Sequence, residues 1–192
     1  MLTDGASMEG YVCKKNGYFG PKGRVLTAGH PRAEHLWVYA LAFRLSGDQF
    51  LWEMTRNMAY GNGWGDIGES SGASPKLRLP ENLSDPHLLF ALLELHRASG
   101  KAAFLGEAEA IGRNILKQRV HDGWFVTSQR HVFCRMANDE SQALLHLAAA
   151  LMGKPEAVPM FTGAEPFFHA EYGTSIGRVY DSADIYGKTR QP

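Results

Sequence analysis

The chain is poor in cysteine and has no excess of either charge. Its 192 residues include only Cys13 and Cys134, too few for a disulfide framework, and no CxxC or HExxH motif occurs. Lys and Arg together number 20, as do Asp and Glu, so the formal net charge is zero at pH 7. A basic surplus that would drive binding to nucleic acid or to an anionic membrane is missing. The sequence therefore predicts neither partner.

Long apolar runs and phosphate-binding motifs are missing as well. No stretch is long and apolar enough to cross a bilayer. The first ten residues, MLTDGASMEG, have neither the basic nor the apolar part of a secretory signal. The glycine-rich stretch 61–72 has no Lys-Ser/Thr after it and no predicted strand before it, so it does not match a phosphate-binding loop. With 44% hydrophobic residues, the chain can still build a sizeable core.

Three glycines that end apolar helical patterns recur at a constant interval. Gly47, Gly100 and Gly153 are 53 residues apart, and each stands where a left-handed cap would end a helix. We predict helix starts at Pro31, at Ser84 as an N-cap and at Asp139 with Gln142. The predicted apolar faces of these three helices are Leu36, Tyr39 or Ala40, and Phe43; Leu88, Leu92 and Leu95; and Leu144, Leu145, Ala148 and Leu151.

Partner helices follow the first two glycines. Asp48 is the expected cap of one, with Phe50 or Leu51, Met54 and Met58 on its apolar face. The other has Phe104, Ala108, Ile111 and Ile115 at spacings of 4, 3 and 4 residues. Pro155 and Pro159 leave no room for a third partner helix. The sequence thus describes helical hairpins that repeat and must stack to bury their apolar faces.

The predicted fold is all-α, with αα-hairpin repeats forming part of an α/α toroid and short β-hairpins in the loops. The 53-residue interval exceeds the common solenoid repeats, and the surplus lies in long loops at 61–83 and 119–138. We expect one domain, residues 1–192, as the C-terminal part of a larger toroid. It would comprise an extended arm or short hairpin (1–29), helical hairpins (30–159) and an aromatic tail (160–192).

Candidate binding residues lie in the loops. Trp64 stands in the stretch 61–72, where a tryptophan face and backbone amides could line a sugar site; a flexible connector is the alternative. Arg130 and His131 follow an expected turn at 127–129 between two short strands, with Trp124 packed, and could meet a carboxylate. An ordinary surface turn is the alternative there.

Two further clusters stand at the helix start and in the tail. His30 and Arg32 lie with Glu34 and His35 at the start of the first helix, where capping is the alternative and a metal site is not predicted. Tyr172, Arg178 and Tyr180 belong to the tail, which would close over a ligand or lock the last hairpin in place.

Several segments together resemble the C-terminal region of the periplasmic pectate lyase family, the family 2 polysaccharide lyases. These segments are GYFGPKGRVLTAGHPRAEHLWVYALAFRLSGDQFLWEMTRNMA, GWGDIGE, SDPHLLFALLELHRASG, GRNILKQRVHDGWFV and LMGKPEAVP. The resemblance implies an α/α toroid that cleaves polygalacturonate by metal-assisted β-elimination, in the periplasm or after secretion. It implies a divalent metal, manganese or calcium, in the full-length family, and an arginine base.

The resemblance implies that the arginine base and the metal ligands belong to the N-terminal half of the family, which has no counterpart here, so no catalytic residue and no metal ligand are assigned. It also implies that the basic residues beside loops and aromatics, Arg24, Arg32, Arg78, Arg130 and Arg178, would face an anionic polymer. The expected substrate-binding residues are Arg24, His30, Arg32, Trp64, Arg130, His131, Tyr172, Arg178 and Tyr180. Two other functions stay open: another toroid enzyme acting on sugars, such as an epimerase or a glycosidase, and a non-catalytic helical-repeat module that binds a protein.

Overall fold

A computed structural model describes residues 11–17, 20–26, 31–121, 123–126, 133–135, 138–161 and 183–185. Within them lie five α-helices: α1 (Ala33–Ser46), α2 (Gln49–Gly61), α3 (Pro86–Ser99), α4 (Ala102–Arg119) and α5 (Asp139–Leu151). A short 3-10 helix, Pro155–Ala157, follows α5. The predicted all-α class is confirmed, whereas the toroid and the division of the chain into arm, hairpins and tail stay predictions.

The strands of the described residues are short and form two-stranded antiparallel ladders. They are β1 (Tyr11–Val12) with β2 (Val25–Leu26), β3 (Gly65–Asp66) with β4 (Lys76–Leu77), β5 (Val120–His121) with β6 (Trp124–Phe125), and β7 (Phe133–Arg135) with β8 (Ala183–Ile185). The ladders β3–β4 and β5–β6 confirm the expected β-hairpins in the loops between helices. The ladder β1–β2 also shows that the N-terminal segment contains a short hairpin.

The 53-residue interval is kept in the structure. Helices α1, α3 and α5 begin at Ala33, Pro86 and Asp139, which are again 53 residues apart. Gly47, Gly100 and Gly153 follow these helices with φ angles of 72°, 69° and 68°. The left-handed conformation explains why glycine recurs there, since a Cβ atom is disfavoured at such φ values.

All three predicted helix starts need correction. Helix α1 begins at Ala33, two residues after Pro31. Helix α5 is capped by Asn138, whose side-chain oxygen accepts from the Ser141 amide at 2.7 Å, so Asp139 is the first helical residue and not the cap. The physical reason is that an amide oxygen caps the exposed helix amides as well as a carboxylate does.

Helix α3 is capped by Asp85 and not by Ser84. The Asp85 Oδ1 atom accepts from the amides of His87 and Leu88 at 2.8 and 3.1 Å. The Ser84 hydroxyl instead donates to Gln118 Oε1 of α4 at 3.0 Å. Sequence reasoning placed the cap one residue early because Ser and Asp are both good N-caps and stand side by side here.

The chain divides into two compact units, the first comprising residues 1–81 and 94–104. In this unit α1 packs on α2 through the rings of Phe43 and Trp52, whose centroids are 4.9 Å apart. Met54 and Met58 of α2 are buried as predicted, but Phe50 is 55% exposed and the fully buried Trp52 takes its place. The Asp48 cap is confirmed, because its side chain accepts from the Phe50 amide.

The second unit comprises residues 82–93 and 105–192. The predicted apolar positions of α3 and α4 that fall in it are buried. Of the face predicted for α5, only Leu144 is half-buried and packs beside Gly112 of α4, and the other three positions are exposed. Ala143 and Leu147 are buried, while Leu145 and Leu151 are exposed. The cause lies on α4, where Gly112 has no side chain and the end of Leu147 occupies that space.

Candidate functional site

The glycine-rich loop 61–72 is anchored to α2 and is not a flexible connector. The indole Nε1 of the fully buried Trp52 donates to the Gly68 carbonyl at 2.8 Å. Ile67, the residue before Gly68, is 1% exposed. The Gln49 side chain donates to the Glu69 carbonyl at 3.3 Å. Two hydrogen bonds from α2 and the burial of Ile67 therefore fix the backbone of the loop.

An ion pair between Arg56 of α2 and Asp66 of β3 closes the same loop. Arg56 Nε donates to Asp66 Oδ1 at 2.8 Å and Nη2 donates to Oδ2 at 3.0 Å. This two-bond geometry is the strongest that arginine and a carboxylate form. The Gly68 amide also donates to Asp66 Oδ1 at 2.8 Å. This pair could not be predicted from the sequence, because Arg56 lies on a helix and carries no local sign of its partner.

The ion pair fixes the charge state of both groups. Hydrogen bonding from Arg56 holds the pKa of the Asp66 carboxyl well below its usual range, with the Gly68 amide adding to the effect. The hydrogen bond to Asp66 likewise raises the pKa of the Arg56 guanidinium. Asp66 is thus a weak base, and Arg56 already has a carboxylate partner. The pair positions the loop and is poorly suited to proton transfer or to holding a substrate carboxylate.

Trp64 is half-buried and lies at the start of the β3–β4 hairpin. Its amide donates to the Ala59 carbonyl, and its carbonyl accepts from the Arg78 amide, both at 2.9 Å. Gly65 has a φ of 90°, and a Cβ atom there would collide with the backbone of the opposite strand. The two strands can approach so closely only because residue 65 is glycine.

Arg24 and Arg32 are the other predicted binding residues within the described ranges. Arg24 is exposed and precedes β2, and its carbonyl accepts from the Cys13 amide at 2.9 Å. The Arg32 side chain is 74% exposed, with Nη1 3.6 Å from Glu34 Oε2. Neither arginine is hydrogen-bonded to Trp64 in the part of the chain that the structure describes. His30, Arg130, His131, Tyr172, Arg178 and Tyr180 lie outside the described residues.

The described parts of the stretch 121–135 belong to two ladders. Trp124–Phe125 pairs with Val120–His121, and Phe133–Arg135 pairs with Ala183–Ile185 of the tail. The predicted turn at 127–129 lies outside the described residues. Trp124 is 49% exposed and not packed. Gly123, just before β6, has a φ of 82°, a left-handed conformation that favours glycine.

A second polar cluster joins the first turns of α3 and α5 in the second unit. His87 Nε2 lies 2.9 Å from Asp139 Oδ2, and its Nδ1 lies 3.8 Å from Asp85 Oδ1. Asp85 is committed to capping α3 through two backbone amides. The cluster thus connects the start of α3 to the start of α5. Its role is structural, because His87, Asp85 and Asp139 contact one another or cap a helix.

Within the described ranges, no three His, Cys, Asp or Glu side chains converge on a point where they could hold a metal ion. The described residues therefore do not fit the divalent cation that the family resemblance implies. Among the helices of the described residues, none has the length and hydropathy needed to cross a bilayer.

The described chain is thus an all-α protein whose paired helices carry short β-hairpins in their loops, one of them presenting a tryptophan. The chain belongs to the periplasmic pectate lyase family, whose model matches residues 1–171. It is similar to the pectate disaccharide-lyase of Dickeya dadantii (strain 3937), with 27% identity over 188 residues. That match covers 97% of this chain and 32% of the relative, so the chain spans about a third of the relative's length.

Proposed function

We propose that this chain acts on polygalacturonate as a pectate lyase, or as part of one, by β-elimination. The observation that carries the proposal is the match of the pectate lyase family model to residues 1–171. The name of the relative, pectate disaccharide-lyase, supports the same class of substrate. The family description supports a periplasmic location. A helical wall with ligand-binding loops at its rim, as in an α/α toroid, is the proposed architecture.

The proposed chemistry removes the C5 proton of a galacturonate residue. The electron pair of that C–H bond forms a C4–C5 double bond, and the C4 oxygen leaves with the other part of the polymer. The proton is α to the uronate carboxylate, so its removal places new negative charge beside an existing one. Cationic groups at the carboxylate lower that barrier because they stabilise the developing charge.

The part proposed for this chain is to bind the polymer and to neutralise its carboxylates with cationic side chains. Trp64, on an anchored loop, would stack against a sugar ring, and Arg24 and Arg32 would contact carboxylates. The further proposed contacts are His30, Arg130, His131, Tyr172, Arg178 and Tyr180. The base that takes the C5 proton is not assigned to any of these residues, and no step is assigned to a metal ion.

An ultraviolet assay on polygalacturonate tests the proposal. β-Elimination leaves a double bond conjugated with the carboxylate, which absorbs in the ultraviolet, and we expect absorbance to rise with manganese or calcium present. Affinity electrophoresis through gels containing polygalacturonate reports binding in parallel, with a neutral galactan as the control polymer. If the protein is retarded in the polygalacturonate gel and not in the galactan gel, the result would support binding of the acidic polymer by this chain, whether or not absorbance rises.

Other outcomes separate the alternatives. New reducing ends without an absorbing product would indicate a glycosidase, and a changed sugar configuration without cleavage would indicate an epimerase. If the protein neither retards in the polygalacturonate gel nor forms the unsaturated product, the proposed function is wrong. A helical module that binds a protein would then be the better description.

A further inference from the structure

The segment 73–80, which contains β4, presents two cations on one side. Exposure alternates along it, with Lys76 and Arg78 exposed and Leu77 and Leu79 half-buried. Alternation with a period of two is the property of an extended strand, whose successive side chains point to opposite faces. Lys76 and Arg78 therefore share the solvent face, and their Cα atoms are about 6.6 Å apart along the strand.

The tryptophan of the candidate site adjoins this pair of cations. The Arg78 amide donates to the Trp64 carbonyl at 2.9 Å, which makes the two residues neighbours across the hairpin. Gly65 and Asp66, the two residues after Trp64, pair with Leu77 and Lys76. An acidic sugar chain presents two features to a protein, an apolar ring face and a regular row of carboxylates. A half-buried aromatic ring complements the first, and two exposed cations complement the second.

The charges of Lys76 and Arg78 are available to a ligand. Asp66 stands opposite Lys76 on β3, but both of its oxygens accept hydrogen bonds from Arg56. In the part of the chain that the structure describes, neither Lys76 nor Arg78 forms an ion pair. A carboxylate that arrives at this face therefore meets two cations without having to displace an internal partner.

The hairpin that carries these residues is already fixed in place. The Trp52 indole and the Arg56 guanidinium hold the loop from α2, and Gly65 allows the close approach of the two strands. Binding at a fixed surface loses less conformational freedom than binding at a mobile loop.

We propose that Lys76 and Arg78, beside Trp64, form a subsite that binds the carboxylates of an oligogalacturonide. The identity of the ligand rests on the proposed function, whereas the subsite itself rests on the geometry of the hairpin. The Arg side chain forms two parallel hydrogen bonds with one carboxylate, and the Lys ammonium neutralises a neighbouring one. The subsite binds and orients the polymer and takes no part in proton transfer.

The test compares two double variants of the whole chain by calorimetric titration with oligogalacturonides. Lys76→Gln/Arg78→Gln removes the proposed subsite. The control, Arg113→Gln/Lys154→Gln, removes the same residue types and the same charge from exposed positions of the second unit. We expect the first variant to lose roughly 5- to 30-fold in affinity and the control to change by less than about twofold. Unfolding midpoints of both should stay close to that of the unchanged protein, since all four side chains are exposed and the Arg113–Glu109 ion pair on the helix surface contributes little to stability.

Oligogalacturonides with methyl-esterified carboxylates complete the test, because the ester removes the charge and keeps the sugar ring. We expect the difference between the two double variants to vanish with this ligand. If the first variant binds free-acid oligogalacturonides as tightly as the control does, the subsite is wrong and the proposed function is unaffected. If its loss persists with the ester, carboxylate recognition is wrong. If the unchanged protein binds neither ligand, the proposed function fails and the subsite fails with it.

Discussion

Asp66 links the stability of the tryptophan loop to pH. Its folded-state pKa is depressed by the hydrogen bonds from Arg56, so the stabilisation is fully present above the unfolded pKa of about 3.9 and is lost as pH falls through the lower folded value. We expect Asp66→Asn to lower the free energy of unfolding by about 2 kcal/mol at neutral pH. Urea titrations from neutral to acidic pH should show this difference constant down to about pH 5 and shrinking below about pH 4. A difference that grew on acidification would contradict the assignment.

Substitutions at two glycines of the same loop distinguish the energetic cost of a positive φ from the cost of a steric collision. Gly63 and Gly65 both have positive φ, 71° and 90°, but a Cβ atom meets nothing within 4 Å at Gly63 and lies 2.9 Å from the Arg78 amide nitrogen at Gly65. Gly63→Ala should therefore cost about 1 kcal/mol, for the conformation alone. Gly65→Ala should cost about 3 kcal/mol, since the strands must also separate. Equal losses in urea denaturation would show that the strands are not held together at this point.

A second glycine pair tests how α4 packs against α5. Gly106 and Gly112 both lie inside α4, where alanine is intrinsically favoured by about 1 kcal/mol. A Cβ atom at Gly106 meets nothing within 4 Å, so Gly106→Ala should stabilise the protein by about that amount. A Cβ atom at Gly112 collides with the end of the buried Leu147. Gly112→Ala should therefore be less favourable than Gly106→Ala by about 1–2 kcal/mol.

Thermal and urea unfolding of the two alanine variants give the comparison. Adding Leu147→Val to Gly112→Ala provides the control, because the shorter side chain removes the colliding methyl group. The double variant should recover part of the loss, since neighbouring residues couple in this way. Additive effects of the two substitutions would mean that Gly112 and Leu147 are not in contact.

Local chemistry explains which helical features could be predicted. The capping glycines were predictable because a left-handed residue after a helix restricts the choice of amino acid at that position alone. The faces of α3 and α4 were predictable because their large apolar residues follow one helical period. Helix α5 is rich in alanine, so no single stripe dominates, and its buried face is decided by the gap at Gly112 of α4. That contact spans 35 residues of sequence and leaves no local trace.

The candidate site was predictable only in part, for the same physical reason. Trp64 stood out because a large aromatic side chain in a glycine-rich loop is unusual. The Arg56–Asp66 pair joins a helix to a strand. Charged residues are common on the surfaces of both, so the sequence position of neither residue predicts its partner. The pairing of Phe133–Arg135 with the tail likewise depends on a contact distant in sequence. Interactions within one turn or one hairpin could be predicted from the sequence, whereas interactions between separate elements could not.

The charge balance of the entire chain sets how it would meet an acidic polymer. Lys and Arg equal Asp and Glu at 20 each, so no net field draws a polyanion from a distance. Attraction must come from local groups such as Lys76 and Arg78, which act within a screening length of about 8 Å at physiological salt and about 30 Å at low salt. We therefore expect the association rate with oligogalacturonides to change less than about threefold over this range, while the dissociation rate rises with salt.

Surface-based kinetic measurements at several salt concentrations test this expectation, because they resolve association and dissociation separately. The matched variants Lys76→Gln/Arg78→Gln and Arg113→Gln/Lys154→Gln carry the same net charge, so they should associate at similar rates and differ in how fast they dissociate. A steep fall in the association rate with salt, equal in both variants, would show that the overall field of the protein guides the polymer. Recognition would then not depend on the hairpin beside Trp64, because a field summed over the chain does not distinguish one exposed cation from another.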